Sequence, residues 1–184
     1  PQEMKVHDEK WHTENFMWGN SRVRQRDFWT EEIAEEWKQT MEGMQKRLIS
    51  CSNCPLTCGA TIQPPGQPTY MMKCFSKLTS PMAALSDLEF GLGIAQGATE
   101  YGVDGFSAPQ VMAFALELLE NGVLSKDDFP GMPEDNEGRF RWLLDKIVRR
   151  EGIGDVLANG TYWAAKEIGN GAEEYAHNNI KKHE

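Results

Sequence analysis

Along most of the chain apolar residues recur at helical spacing, and no stretch alternates apolar and polar residues as a half-buried strand does. Thr30 stands where an N-cap belongs, and Ile33, Trp37, Met41 and Met44 then share one face of a helix predicted over Glu31 to Arg47. Ser86-Asp87-Leu88-Glu89 has the form of a capping box, which predicts a helix running to about Tyr101 with Gly102 as its stop. Ser107 predicts the N-cap of the next helix, with Pro109 in its first turn, Gly122 just past its end, and Val111, Ala115, Leu118 and Leu119 as its buried stripe. Gly131 to Gly138 reads as an acidic connector, and Arg139 to Arg150 as an amphipathic helix turning Phe140, Leu143, Leu144, Ile147 and Val148 inward. One more helix is predicted over Asp155 to Ile168, broken by Gly169 and Gly171. Residues 1–29 follow no clean period, and residues 50–70 break up into Cys, Pro and Gly and read as loop. The pattern predicts a mainly α fold, a single helical domain over residues 1–184 with no internal repeat.

Composition narrows the partners. The chain has 184 residues, 40% of them hydrophobic and 26% charged, which suits one globular domain with its own core. Its net charge of −9 speaks against a phosphate-driven nucleic-acid binder. No apolar run approaches the ~20 residues of a membrane span, and no basic and apolar leader opens the chain, which begins Pro1-Gln2-Glu3 and reads as an excised fragment or a processed product. A cytoplasmic protein is expected. Arg22, Arg24 and Arg26 form one basic patch, either a solvated arginine face or a contact for an anionic ligand.

Chemistry concentrates in the cysteines. Three of the four lie in Cys51-Ser52-Asn53-Cys54-Pro55-Leu56-Thr57-Cys58, a C-x2-C-x3-C group. Short spacers let several thiolates grip one metal centre, and clustering of this kind points to metal or redox chemistry rather than to disulfides. Both an iron–sulfur cluster and zinc take four ligands, so this group leaves the metal open. Zinc closed by Cys74 or a histidine, in a non-enzymatic helical module, is one reading; an iron–sulfur centre is the other.

From Cys51 onward the chain resembles the aldehyde ferredoxin oxidoreductase family. The resemblance runs through Asp87-Leu88-Glu89, Gly102-Val103-Asp104 and Ala113-Phe114-Ala115-Leu116-Glu117-Leu118 with Gly122. It continues through Gly154-Asp155-Val156-Leu157-Ala158 with Gly160 to Gly171-Ala172-Glu173-Glu174-Tyr175-Ala176. The family's fold has an N-terminal β domain that cradles a tungsten bis-pyranopterin, followed by two helical domains, and this chain is similar to the first helical one. The resemblance implies that Cys51, Cys54 and Cys58 are three ligands of a 4Fe–4S cluster whose fourth cysteine lies much later in a full chain. The family's pterin-contacting motif is Asp or Asn, two residues, Gly-Leu, then Asp or Cys; here it reads Thr99-Glu100-Tyr101-Gly102-Val103-Asp104. Gly102 and Asp104 match and Thr99 and Val103 depart, so cofactor contact is carried over through Gly102 and Asp104.

Two departures alter the implied chemistry. Ordinary members carry a glutamate near the tungsten, in keeping with proton transfer to or from an aldehyde. Here that position is Cys74, a soft thiolate able to ligate the metal itself. Ordinary members also show Leu-Pro-Thr-x-Asn-Phe upstream, where this chain reads Trp11-His12-Thr13-Glu14-Asn15-Phe16. A cysteine and a histidine at these places resemble the class II benzoyl-CoA reductase branch, which reduces the ring of benzoyl-CoA to a cyclic diene. On that resemblance Cys74 ligates tungsten, His12 is the proton donor beside the ring, and Glu9 and Glu3 relay protons to it. The implied partners are an acyl-CoA substrate and an electron-transfer iron–sulfur subunit in an oligomeric enzyme. An aldehyde:ferredoxin oxidoreductase is the alternative within the same family.

Overall fold

The computed structural model describes residues 31–72, 87–178 and 180–182. Among these described residues six helices and a small sheet follow in order: α1 Glu31–Met44, β1 Gln45–Ile49, β2 Gly59–Ile62, β3 Tyr70–Met72, α2 Leu88–Glu100, α3 Ser107–Glu120, α4 Asn136–Arg149, α5 Ile153–Leu157 and α6 Thr161–Ile168. Short 3-10 turns occupy Lys126–Asp128 and Ala172–Glu174. The fold is mainly α, as the periodicity predicts.

The sheet is where the sequence reading needs correction. The helix predicted from Glu31 stops at Met44 rather than Arg47, and the chain passes directly into β1. The Met44 carbonyl accepts from the Gln63 N–H at 2.9 Å, so a residue just past β2 takes the bond that another helical turn would have used. Residues 50–70 are not loop throughout: β2 lies between β1 and β3, antiparallel to both, pairing Leu48 with Ala60, Ile49 with Gly59, and Ala60 with Met72. β1 escapes a period-two reading because it is an edge strand with a bulge between Gln45 and Arg47.

The helical bounds also shift. Asp87, not Ser86, is the N-cap of α2, its carboxylate accepting from the Phe90 N–H at 2.9 Å. Ser107 is the first helical residue of α3 rather than its cap. α4 begins at Asn136, inside the expected connector, because the Asp135 carboxylate caps it by accepting from the Gly138 N–H at 2.7 Å. The helix expected over Asp155 to Ile168 is two, α5 and α6, parted where Gly160 takes a φ of 85°.

α3 is the centre of the bundle, with ten of its 14 residues buried. It packs against α2, α4, α5 and α6. Phe114, Leu116, Leu118, Phe140 and Leu143 are fully buried among them. A second, smaller core gathers Met41, Met44, Ala60, Ile62 and Met72 under the sheet. α2 joins the two: Leu88, Leu92 and Ala95 face the sheet while Phe90, Ile94 and Ala98 face the bundle. At about 100° per residue the two triplets centre about 130° apart around the helix, which is why this helix is apolar on two faces.

Candidate functional site

The cysteine group forms the connection between β1 and β2. Its base is the Ile49–Gly59 pair, the last rung of the ladder. A Cβ on Gly59 would lie 2.7 Å from Ile49 Cγ1 and 3.2 Å from the Ile49 carbonyl oxygen, so only glycine lets the Ile49 side chain lie across this position. From that base the chain leaves the sheet, and the Cys54 N–H donates to the Cys51 carbonyl at 3.1 Å, closing a four-residue turn. Asn53, third in the turn, has a φ of 59°. Cys51 is exposed, Cys54 and Cys58 are half-buried, and none of the three is in a disulfide. Leu56, between the second and third thiols, is 63% exposed.

Three undisulfided thiols on one loop anchored at the sheet fit an iron–sulfur centre in the kind of donor, and fall one short of the four it takes. Among the described residues no three His, Cys, Asp or Glu side chains are gathered closely enough to hold a metal ion as they stand.

Gly102 and Asp104 come together at the α2–α3 connection, each with a structural task. α2 ends in a Schellman motif: Gly102 N–H donates to the Thr99 carbonyl at 3.0 Å and Val103 N–H to the Ala98 carbonyl at 2.8 Å. The residue following the helix must be left-handed for this, and Gly102 has a φ of 76°. Asp104 Oδ1 then accepts from the N–H groups of Phe106 at 3.0 Å and Ser107 at 2.6 Å, doing for α3 what Ser107 was expected to do. α2 links this turn to the sheet beneath the cysteine loop, and its 13 residues span about 20 Å at ~1.5 Å each.

His12, Glu9, Glu3 and Cys74 lie outside the described residues, as do Arg22, Arg24 and Arg26. β3, at Tyr70–Met72, runs up to the segment that holds Cys74. The Tyr70 hydroxyl is buried and has no hydrogen-bond partner among the described residues. Burial, with Glu89 and Glu100 adding their negative charge, pushes its phenol above the ordinary range and keeps it a neutral donor. Tyr70, Asn53 and Gly59 escape a search for reactive side chains. The signal for Asn53 is its place between closely spaced cysteines, where a turn calls for Asn or Gly.

The family model described as aldehyde ferredoxin oxidoreductase, domains 2 and 3, matches residues 2–184. A tungsten-containing aldehyde ferredoxin oxidoreductase of Pyrococcus horikoshii is 30% identical over 179 residues, covering 86% of this chain and 28% of the relative. The WOR-like subunit of an aliphatic sulfonate oxidoreductase of Pyrococcus furiosus is 43% identical over 70 residues, 38% of this chain and 11% of the relative. Among solved structures, the active site complex BamBC of benzoyl coenzyme A reductase with 1,5-dienoyl-CoA is similar over 100% of this chain and 28% of its own, with 74% identity and a TM-score of 0.83. The chain thus spans 28% of the length of the first of these relatives and of that solved chain.

Proposed function

The chain belongs to the aldehyde ferredoxin oxidoreductase family, and on that premise we propose that it is the helical, cluster-binding part of a tungsten–pterin oxidoreductase that reduces the ring of benzoyl-CoA to a cyclic dienoyl-CoA. What supports this over aldehyde oxidation is the 74% identity across the whole chain to a benzoyl coenzyme A reductase complex, against 30% to the aldehyde enzyme of Pyrococcus horikoshii. Cys74, at the place of the ordinary glutamate, agrees with it. A free-standing zinc module is not favoured, since the family match runs over nearly the whole chain.

In this reading Cys51, Cys54 and Cys58 hold a 4Fe–4S cluster, with a fourth ligand from outside residues 1–184. Cys74 ligates the tungsten, while Gly102 and Asp104 contact the pterin. When bound, these groups supply electron relay and low-potential electron transfer, chemistry that belongs to the cofactors. The chain's own residues position and protonate. His12, with an unperturbed pKa of about 6.5, gives a proton to the ring as negative charge builds there. Glu9 and Glu3 return protons to His12. The turn at Gly102 holds its place because two helices are capped there, so a ligand meeting Asp104 meets a fixed carboxylate. The partners are an acyl-CoA and an iron–sulfur electron-transfer subunit, in a cytoplasmic oligomer. No helix among the described residues is long and apolar enough to cross a membrane.

The test is substrate choice by the full-length holoenzyme. With an artificial electron acceptor it should oxidise a cyclic dienoyl-CoA to benzoyl-CoA and leave simple aldehydes unchanged. Turnover of aldehydes without turnover of the thioester would establish the aldehyde reading instead.

A further inference from the structure

We propose that Asn53 is a positioning residue for the metal ligands, acting through its left-handed backbone rather than its amide. The inference rests on the reading that Cys51, Cys54 and Cys58 hold a cluster. Ser52, Asn53, Pro55, Leu56 and Thr57 are all exposed, so side-chain packing does little to fix the shape of this loop. Its shape must come from backbone preferences. Three are in place. Gly59 pins the far end against Ile49. Pro55 has a fixed φ of its own and biases Cys54 toward extended backbone. Asn53 supplies the positive φ, 59°, at the third position of the turn that carries Cys54 back to the Cys51 carbonyl. With Asn53 and not Ser52 at positive φ, the turn has the φ signs of type II, whose third position glycine and asparagine enter readily and β-branched residues resist. If residue 53 left that region with the Ser52 backbone unchanged, the Cys54 N–H would turn away from the Cys51 carbonyl; keeping the bond would take a rotation at Ser52 as well, which presents the two thiols differently. Metal binding has to draw these thiols together, so each chain in the wrong turn conformation subtracts from the bound form.

The experiment compares the full-length holoenzyme with Asn53→Gly, Asn53→Ala and Asn53→Val. Iron content, the visible absorption of the cluster and its bleaching rate under a chelator are measured, with circular-dichroism melting as the control for the fold. Asn53→Gly should bleach within about twofold of the wild type, and Asn53→Val about tenfold faster, the scale of one strained left-handed residue. Melting should be alike in both. Rescue by glycine is what separates a backbone role from a side-chain role. If Val bleaches like the wild type, or Gly bleaches as fast as Val, the proposal is overturned. Should the Val variant not accumulate as folded protein, the other pair decides: Ala bleaching faster than Gly supports the proposal, and equal rates overturn it. Cys54→Ser, run in parallel, tests the underlying reading. Unchanged iron and absorption in that variant would remove the cluster assignment itself, whatever the Asn53 variants do.

Discussion

Asp104 and His12 are single residues whose proposed roles can be separated from simple structural ones. Asp104 Oδ1 satisfies two N–H groups at the start of α3, so Asp104→Ala should lower stability by about 1 kcal/mol, the usual cost of losing such a cap. Asp104→Asn keeps an oxygen acceptor there and should recover most of that loss in a thermal melt. If the charge also serves the cofactor, Asn should still lose tungsten relative to wild type while melting normally; equal tungsten would confine Asp104 to capping. His12→Ala should leave iron and tungsten contents unchanged and slow ring reduction by about 10²- to 10⁴-fold, the worth of a general acid. A rate like that of the wild type would remove His12 from the chemistry.

The elements around the cysteine loop were only partly legible. Helices with an apolar stripe and a capping residue declare themselves, and the central helix Ser107–Glu120 lies where its periodicity places it. The sheet does not, for a physical reason. β1, Gln45–Ile49, exposes Lys46 and Arg47 in succession, and β2, Gly59–Ile62, is buried at Gly59, Ala60 and Ile62 with only Thr61 half-covered. Neither alternates, since one is a bulged edge and the other is buried on both faces. The cysteine spacing was legible as metal chemistry, while its presentation on a hairpin was not, because that depends on pairing between separate segments. Gly59→Ala is the element-scale test. The new methyl meets the Ile49 side chain and, less yieldingly, the Ile49 carbonyl. Overpacking of this kind costs about 1–3 kcal/mol. Hydrogen exchange at the β1–β2 amides should quicken and the bound iron should become more labile, while amides of α4 stay protected. Unchanged exchange at β1 and β2 would mean that the hairpin base is not what fixes the loop.

At the scale of the whole molecule, α2 couples the sheet that presents the thiols to the bundle that gives the fold its mass. Leu92 is fully buried on the sheet side and Leu143 fully buried on the bundle side. Truncating either to Ala should cost about 2–5 kcal/mol. Only Leu92→Ala should also speed loss of iron to a chelator beyond what its stability loss predicts; equal lability in the two variants would mean that the two cores act as one. The same question of what the scaffold fixes, and what the metal's own ligands fix, governs Cys74. That residue follows β3 by two positions, on a segment preceded by Pro64, Pro65 and Pro68. Cys74→Glu restores the residue type of ordinary aldehyde oxidoreductases without touching Cys51, Cys54 or Cys58. The variant should retain its iron and its cluster absorption, because the hairpin and its thiols are unaltered. It should lose ring reduction, because a hard carboxylate replaces a soft thiolate beside the tungsten. X-ray absorption at the tungsten edge should count one sulfur neighbour fewer in the variant than in the wild type. Equal sulfur counts would show that Cys74 is not a ligand, and would return the chain's chemistry to the aldehyde side of its family.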